Sequence, residues 1–328
     1  MPTPQSVSVN HLYRVANSAQ NRRMELLVRR MAMACEFSVR LPAGTRRAAD
    51  AGCAALDEVE RLESRLSAYV EDSDISRWNR GQTAAVDPGV YSLLRRAGQL
   101  AEMTGGAFDA ATGALVKTWG FYRGPRRVPS PSQIAAALAA CGSPHLAFDD
   151  AQCRIQAARP GIEFNLGGVG KGFAIDRGLD LIRRRFGVRC ALLQGGQSSL
   201  KGTGAPPGEP RGWPVLLGNR GGGRPAVRIW LRDRAMGTSA ADRQFFTEGG
   251  RRFGHILDPR TGWPAEGLLS ATAVAGSAAE ADALSTAFFV MGAGETRRFC
   301  LDHPQYGAVL ALPGEVTVVG NLDAEVIS

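Results

Sequence analysis

Lysine is almost missing from this chain: only Lys117, Lys171 and Lys201 stand among its 39 basic residues. Arginine is therefore the default cation, as a genome-wide codon bias would make it, and a lysine suggests a place where a compact ammonium is wanted. Long basic stripes interleaved with aromatics are also missing. The net charge of +8 is spread over short pairs such as Arg46-Arg47, Arg95-Arg96 and Arg126-Arg127, which argues against a nucleic-acid surface. The six cysteines, at 35, 53, 141, 153, 190 and 300, contain no Cys-x-x-Cys and no paired histidine spacing, so neither a zinc site nor a disulfide framework is indicated. No segment reaches transmembrane length, and residues 1–25 are polar without the apolar stretch of an export signal. Ala-Met-Ala-Cys at 32–35 lacks the hydrophobic segment that a lipoprotein cleavage site requires. The expectation is a cytoplasmic protein, or a chain whose N-terminus is incomplete.

With 328 residues, 44% of them hydrophobic, the chain can bury a large core. Its barest stretch is Phe164-Asn-Leu-Gly-Gly-Val-Gly-Lys-Gly-Phe-Ala-Ile-Asp176, with four glycines and one of the three lysines. A backbone free of side chains can approach a ligand closely, and at a helix start its N–H groups suit an anion. Two known nucleotide loops are excluded. Asn165 stands where a P-loop needs its first glycine and Gly172 where it needs Ser or Thr; the spacing of Gly168, Gly170 and Gly172 does not match Gly-x-Gly-x-x-Gly. An anion-binding turn of another kind and a tight strand-to-helix connection both remain open.

Apart from a tail over 1–25, helices and strands come in blocks. Strand pattern covers 26–41. Apolar residues at Cys53, Leu56, Val59, Leu62 and Leu66 predict a helix with Asp50 as its cap. Ser73 caps a short helix through Asn79. Asp87-Pro88 opens another, with Val90, Leu93, Leu94, Ala97 and Leu100 inward and Gly105-Gly106 as its stop. Ser130-Pro131 starts an alanine-rich helix, 146–166 gives a strand pair, and 171–186 a helix ended by Gly187. Short strands follow at 188–194, 214–218, 226–231, 234–238 and 269–275, around loops at 203–212 and 219–225. Ser277-Ala-Ala-Glu280 is a capping box for a helix through Met291. A hairpin turned by Pro313-Gly314 closes the chain. Connections this short between strands give an α+β fold with largely antiparallel sheets.

Two groups of residues could carry chemistry. Asp282 and Thr286, four apart on the capped helix, share a face and offer the hard oxygen donors that suit magnesium; a polar face with Thr286 bonded back to a carbonyl is the alternative. His255-Ile-Leu-Asp-Pro-Arg-Thr-Gly262 places a histidine three residues before a carboxylate in a turn, a general base or phosphate ligand, or a histidine that merely satisfies a hydrogen bond.

In this order the motifs resemble those of the ApbE family, over about 33–292: Ser67-Ala-Tyr69 with Ser73 and Asn79; Thr104-Gly-Gly-Ala-Phe-Asp109; Trp119-Gly-Phe121; Gly167 to Asp176; Gln194-Gly-Gly196; His255 to Gly262; and Ala281-Asp-Ala-Leu-Ser-Thr286. The resemblance implies two related α+β lobes similar to the T-fold, one flavin transferase domain over 26–328, and FAD in the cleft between lobes. It implies magnesium-dependent transfer of FMN from FAD to a threonine or serine hydroxyl of an acceptor protein, with AMP released. By motif match, Tyr69 stacks on adenine, Met33 and the turn Phe108-Asp109-Ala110 line the flavin cleft, and Lys171 approaches the phosphates. Gly195 and Gly196 belong to the same cofactor site. Asp282, Thr286 and the carbonyl of Gly170 hold magnesium. His255 takes the hydroxyl proton and Asp258 orients it.

The chain departs from the family pattern in three places. Gln197 follows Gly195-Gly196 where aspartate is usual, Cys35 stands in place of threonine, and Ser239-Ala240-Ala241 replaces Ser-Gly-Asp. Many relatives are exported lipoproteins. The departures bear on transfer more than on FAD binding, so an FAD hydrolase using water in the same cleft and a non-catalytic flavin carrier stand beside the transferase reading.

Overall fold

A computed structural model describes residues 13–15, 25–218 and 226–327. Most of the expected tail and the expected loop at 219–225 lie outside these residues. The chain first builds a hairpin from β2 (Glu25–Ala32) and β3 (Cys35–Pro42), turned by Met33 and Ala34 at φ 48° and 58°. It then lays α1 (Ala48–Leu66) against that hairpin. Asp50 does not cap α1. The helix starts one turn earlier, after Arg47 in the left-handed region, and Asp50 pairs with the Arg47 guanidinium at 2.8 Å.

Eight strands make the central sheet: β2, β3, β6 (Ala191–Gly195), β7 (Ser199–Thr203), β10 (Arg234–Ala240), β13 (Ser270–Ala275), β14 (Gly307–Leu312) and β15 (Glu315–Gly320). Their order is β15-β14-β13-β10-β7-β6-β3-β2 and every pairing is antiparallel. Side chains alternate across a strand, and here the alternation divides two cores. Leu193, Ala235 and Ala273 face the helices α1, α6 (Gly170–Phe186) and α7 (Ala278–Asp302). Leu192, Leu200, Met236 and Val274 pack with Trp213, Val215 and Ile229, which belong to a second sheet of order β1-β8-β9-β16. Its strands are β1 (Tyr13–Val15), β8 (Trp213–Leu217), β9 (Ala226–Leu231) and β16 (Ala324–Ile327); β1 thus ties one stretch of the expected tail to the fold.

The N-terminus of α7 is wedged at the centre. A Cβ on Gly172 of α6 would lie 2.1 Å from the Ala278 carbonyl oxygen, and one on Gly237 of β10 would lie 2.4 Å from that of Ala281. Asp176 secures the wedge. Its Oδ1 accepts from Lys201 Nζ at 2.7 Å and Ala278 N at 3.0 Å; its Oδ2 accepts from Ser277 Oγ at 2.7 Å and Ala279 N at 3.0 Å. Ser277 caps α7 by accepting from Glu280 N, but the reciprocal half of the expected capping box is not made: the Glu280 carboxylate accepts from Arg96 at 2.7 Å instead. Beyond the expected end at Met291, α7 continues through a non-helical Gly292 to Asp302. Gly172→Ala is expected to destabilise the protein by roughly 2–4 kcal/mol through backbone overlap, measured as a lowered denaturant midpoint. A neutral result would mean that α6 and α7 can move apart freely.

The remaining elements cover the helix side at one end. They include α2 (Asp74–Asn79), α3 (Pro88–Met103), α4 (Gly113–Thr118) and α5 (Pro131–Ala139), with β4 (Leu146–Asp149) pairing β5 (Arg154–Ala157). Ser73 and Asp87 cap α2 and α3 as expected, and the five inward residues of α3 are buried. An unexpected hairpin, β11 (Phe245–Glu248) with β12 (Arg251–Gly254), joins α4 and α5 in a small core around Leu115, Trp119, Ile134, Phe253 and Leu257.

Candidate active site

A cavity of about 400 Å³ opens where the start of α6, the first turns of α7, the end of β10 and the segment after β12 converge. Asp282 is its most buried acid, 5% exposed. The wedge described above brings it against α6, where its Oδ2 accepts from Gly172 N at 2.8 Å. Burial pushes its pKa up to about 6, against the lowering effects of Lys171, a Ser199 hydrogen bond and the Gly172 N–H. A carboxylate held so costs free energy unless a cation compensates it. Hydroxyls gather beside it. Ser285 and Thr286 donate to the Asp282 carbonyl at 2.8 and 3.3 Å, and Ser239 Oγ lies 2.9 Å from Ser285 Oγ and 3.3 Å from Thr286 Oγ1. The back-bond of Thr286 is thus real, yet it uses only the proton; the oxygen keeps lone pairs in a residue that lines the cavity.

His255 stands across the same cavity. Its Nδ1 is 3.0 Å from the Gln244 carbonyl, which also accepts from His255 N at 3.0 Å. A carbonyl only accepts, so Nδ1 carries the proton and Nε2 is left as the basic nitrogen. Burial lowers the His255 pKa below 6.5, outweighing the Gln244 hydrogen bond, and Lys171, Arg126 and Arg243 lower it further. The ring is therefore neutral at neutral pH. Asp258 does not orient it. The Asp258 carboxylate accepts from Arg260 N at 2.9 Å, Nε at 3.0 Å and Nη2 at 3.0 Å, while its carbonyl accepts from Gly262 N at 2.8 Å. Three residues of chain separate the two side chains into different jobs: Asp258 holds the turn and Gln244, across the β11–β12 hairpin, holds the ring.

Of the other expected site residues, Tyr69, Phe108, Asp109 and Lys171 line the cavity. Tyr69 is 57% exposed and stacked on Tyr122 at 4.7 Å between centroids, with the Arg123 guanidinium 5.2 Å from its ring. A neighbouring hollow of about 490 Å³ begins at Tyr69 and Asn165, which both spaces share. The Asp109 carboxylate accepts from Ala111 N and Ser143 N at 2.7 Å each and from Ser143 Oγ at 2.5 Å. These bonds fix the turn that shapes this wall of the cavity. Met33, Ala110, Gly170, Gly195 and Gly196 are not among the lining residues. Ala110 is buried and its carbonyl accepts from Asn165 N. Gly195 is needed for packing, since a Cβ there would lie 2.7 Å from the Phe37 ring. Sequence reasoning missed Arg243 and Gln244 at the cavity, and named Ser239 and Ser285 only as members of motifs. The Gly249-Gly250 pair, a two-residue hairpin turn with φ of 57° and 75°, was a local signal for β11–β12 and hence for Gln244. The departures sit close by: the Gln197 carbonyl accepts from Arg243 Nη2 at 2.9 Å, Ala240 lines the cavity, and the Cys35 thiol, its pKa raised by burial, abuts Gly196.

This combination of motif order and geometry has counterparts. The ApbE family model matches residues 31–310. The chain belongs to the ApbE family. It is 32% identical over 290 residues to the FAD:protein FMN transferase of Treponema pallidum, covering 79% of this chain and 77% of that one. To the FAD:protein FMN transferase of Salmonella typhimurium it is 32% identical over 237 residues, 69% of this chain and 67% of that one. Among solved ApbE structures, the flavinyl transferase ApbE of Pseudomonas stutzeri in its apo form superposes with a TM-score of 0.78 at 27% identity, over 90% of this chain and 94% of that one. The ApbE protein of Thermotoga maritima gives 0.75 at 29% identity, over 90% and 97%. The α+β architecture with antiparallel sheets is thus the ApbE fold, and no helix among the described residues is long and apolar enough to cross a membrane.

Proposed function

We infer that this chain transfers FMN from FAD to a hydroxyl of an acceptor protein and releases AMP. The observation that carries the reading is a neutral His255, with Nε2 as its open basic nitrogen, in one cavity with Lys171 and the buried Asp282. FAD lies along the joined hollows, its adenine against the Tyr69–Tyr122 stack and its diphosphate toward Lys171 and the start of α6, where a cation and backbone N–H groups favour phosphate. The acceptor oxygen attacks the phosphorus of the FMN half, the bond from that phosphorus to the AMP phosphate breaks, and AMP departs with the electron pair. His255 Nε2 receives the hydroxyl proton, which keeps the attacking oxygen nucleophilic as its bond forms.

Magnesium fits the donor set. Asp282 offers an under-compensated buried carboxylate beside a hydroxyl cluster, and hard oxygen donors are what this cation takes. Asp282 and Thr286 are its proposed ligands; the Gly170 carbonyl, expected as a third, belongs to a residue that does not line the cavity. When bound, it supplies Lewis-acid neutralisation of the diphosphate charge.

Mass spectrometry tests the reading. Purified protein with FAD and magnesium is incubated with and without a threonine-bearing acceptor. An FMN adduct on the acceptor, and little free FMN without it, is expected. Rapid release of FMN in the absence of acceptor would assign the site to hydrolysis, and unchanged FAD in both mixtures would assign it to binding alone.

A further inference from the structure

Lysine and arginine occur in the lining of the main cavity, among the described residues, as Lys171 from the start of α6 and Arg243 from the segment between β10 and β11. Lys171 serves the diphosphate in the reading above. Arg243 is the better shaped of the two for phosphate, because a guanidinium presents five N–H donors in a rigid fork. Its Nη2 donates to the Gln197 carbonyl at 2.9 Å, a neutral partner that orients the fork and leaves its charge uncompensated. The segment that carries it is pinned at both ends. Ala241 N donates to the Leu269 carbonyl at 3.0 Å, the Ala241 carbonyl accepts from Arg252 at 2.7 Å, and the Gln244 carbonyl accepts from His255 N at 3.0 Å and holds the ring at Nδ1. The stretch of chain that fixes the imidazole thus also fixes the guanidinium. The two groups feel each other, since the Arg243 charge is one of three that lower the His255 pKa.

We propose that Arg243 is a catalytic residue of the transfer, its N–H groups gripping the non-bridging oxygens of the FMN-side phosphate and stabilising the charge that builds on them during attack. The inference rests on the transferase reading above. In that displacement the bond from the acceptor oxygen to phosphorus forms while the bond from that phosphorus to the AMP phosphate breaks; AMP takes the electron pair and His255 Nε2 the proton. The phosphate must lie within reach of the base when the hydroxyl attacks, which puts its oxygens beside His255 and so beside the cation whose field His255 feels. Charge in phosphoryl transfer spreads over these oxygens, and a planar fork meets two of them at once. A donor set fixed before the reaction needs no rearrangement as charge develops, so its effect falls on the chemical step.

The test uses the full chain with FAD, magnesium and a threonine-bearing acceptor, with transfer followed by mass spectrometry. Arg243→Gln and Arg243→Ala are expected to lower kcat about 10²-fold, with KM for FAD and for the acceptor within about threefold of wild type. Arg243→Lys should recover only part of the loss, since an ammonium is a point charge without the fork. Guanidinium ion added to Arg243→Ala should raise its kcat, whereas urea, similar in shape and uncharged, should not. With one of three cations removed, the acid limb that belongs to His255 should also move to higher pH in Arg243→Gln. An arginine that merely holds its segment in place would produce neither the selective rescue nor the shifted limb. Thermal melts certify folding, and if Arg243→Ala does not fold, the kcat and pH profiles of Arg243→Gln and Arg243→Lys decide. A loss carried by KM for FAD or by KM for the acceptor with kcat kept, rescue by urea as well as guanidinium, or variants that transfer like wild type all overturn the role of Arg243. Wild type giving no adduct while FAD is bound overturns the transferase reading itself.

Discussion

Replacing Asp282 by asparagine is expected to stop FMN transfer and at the same time to stabilise the metal-free protein. The two effects have one cause. Burial raises the carboxyl pKa from its ordinary 3.8 to about 6, so the folded chain holds a proton that the unfolded chain has released. Stability from this group is present below pH 3.8 and is lost as pH rises to about 6, leaving a penalty at neutral pH of order 3 kcal/mol at about 1.4 kcal/mol per pH unit. Asparagine keeps the shape and an oxygen to accept from Gly172 N–H, and carries no charge to desolvate. Thermal melts at about pH 7.5, above both values, should show a higher Tm for the metal-free Asp282→Asn variant, and a magnesium-dependent rise in Tm for wild type only. Turnover should fall at least roughly 10³-fold, as expected where charge stabilisation at phosphorus is lost. A variant less stable than wild type, or one still turning over with magnesium, contradicts the role given to this carboxylate.

His255→Gln is expected to lower transfer roughly 10²–10⁴-fold, the range of a positioned general base, while FAD affinity stays close to wild type. The pH profile separates a base from a structural ring. Only neutral imidazole accepts the proton, and burial with three neighbouring cations holds the His255 pKa below 6.5. The acid limb of the wild-type rate should therefore have its midpoint below pH 6.5, and this limb should vanish from the residual activity of the His255→Gln variant. The same shift adds a stability signature: the unfolded chain takes up the proton first, so stability from this group is full above pH 6.5 and is lost as pH falls toward the folded value. An acid limb that persists unchanged without His255 would assign the proton to another group.

The elements whose signals are local were legible in the sequence. Ser73, Asp87 and Ser130 each cap the helix that follows, and the apolar spacing of Val90 to Leu100 chose the buried face of α3. Where the signal is long-range, residue type misled. Asp50 is an acceptable cap by type, but α1 starts earlier because Arg47 makes its turn. Glu280 has the spacing of a capping box, yet Arg96, 184 residues away, takes its carboxylate. Asp258 is near His255 in sequence and serves Arg260, whereas the group that fixes the imidazole is a main-chain carbonyl at Gln244, a feature no side-chain pattern advertises. Asp176, read only as the end of a glycine motif, caps α7 from 101 residues away. It thereby sets where Asp282 sits. The glycine motif is not a tight strand-to-helix connection, since β5 ends at Ala157 and α6 begins at Gly170; Gly172 instead permits the helix crossing and offers its N–H to the acid in the cavity.

The account depends on one shared place for FAD, the cation and the base. A crystal structure of the protein soaked with FAD and manganese, a magnesium substitute visible by anomalous scattering, tests it most directly. The prediction is a cation bound by the Asp282 carboxylate and the Thr286 hydroxyl at about 2.0–2.3 Å, in contact with the diphosphate, with the FMN-side phosphorus toward His255. Manganese bound away from Asp282, or FAD lying with its diphosphate outside the cavity of Lys171 and His255, would contradict it.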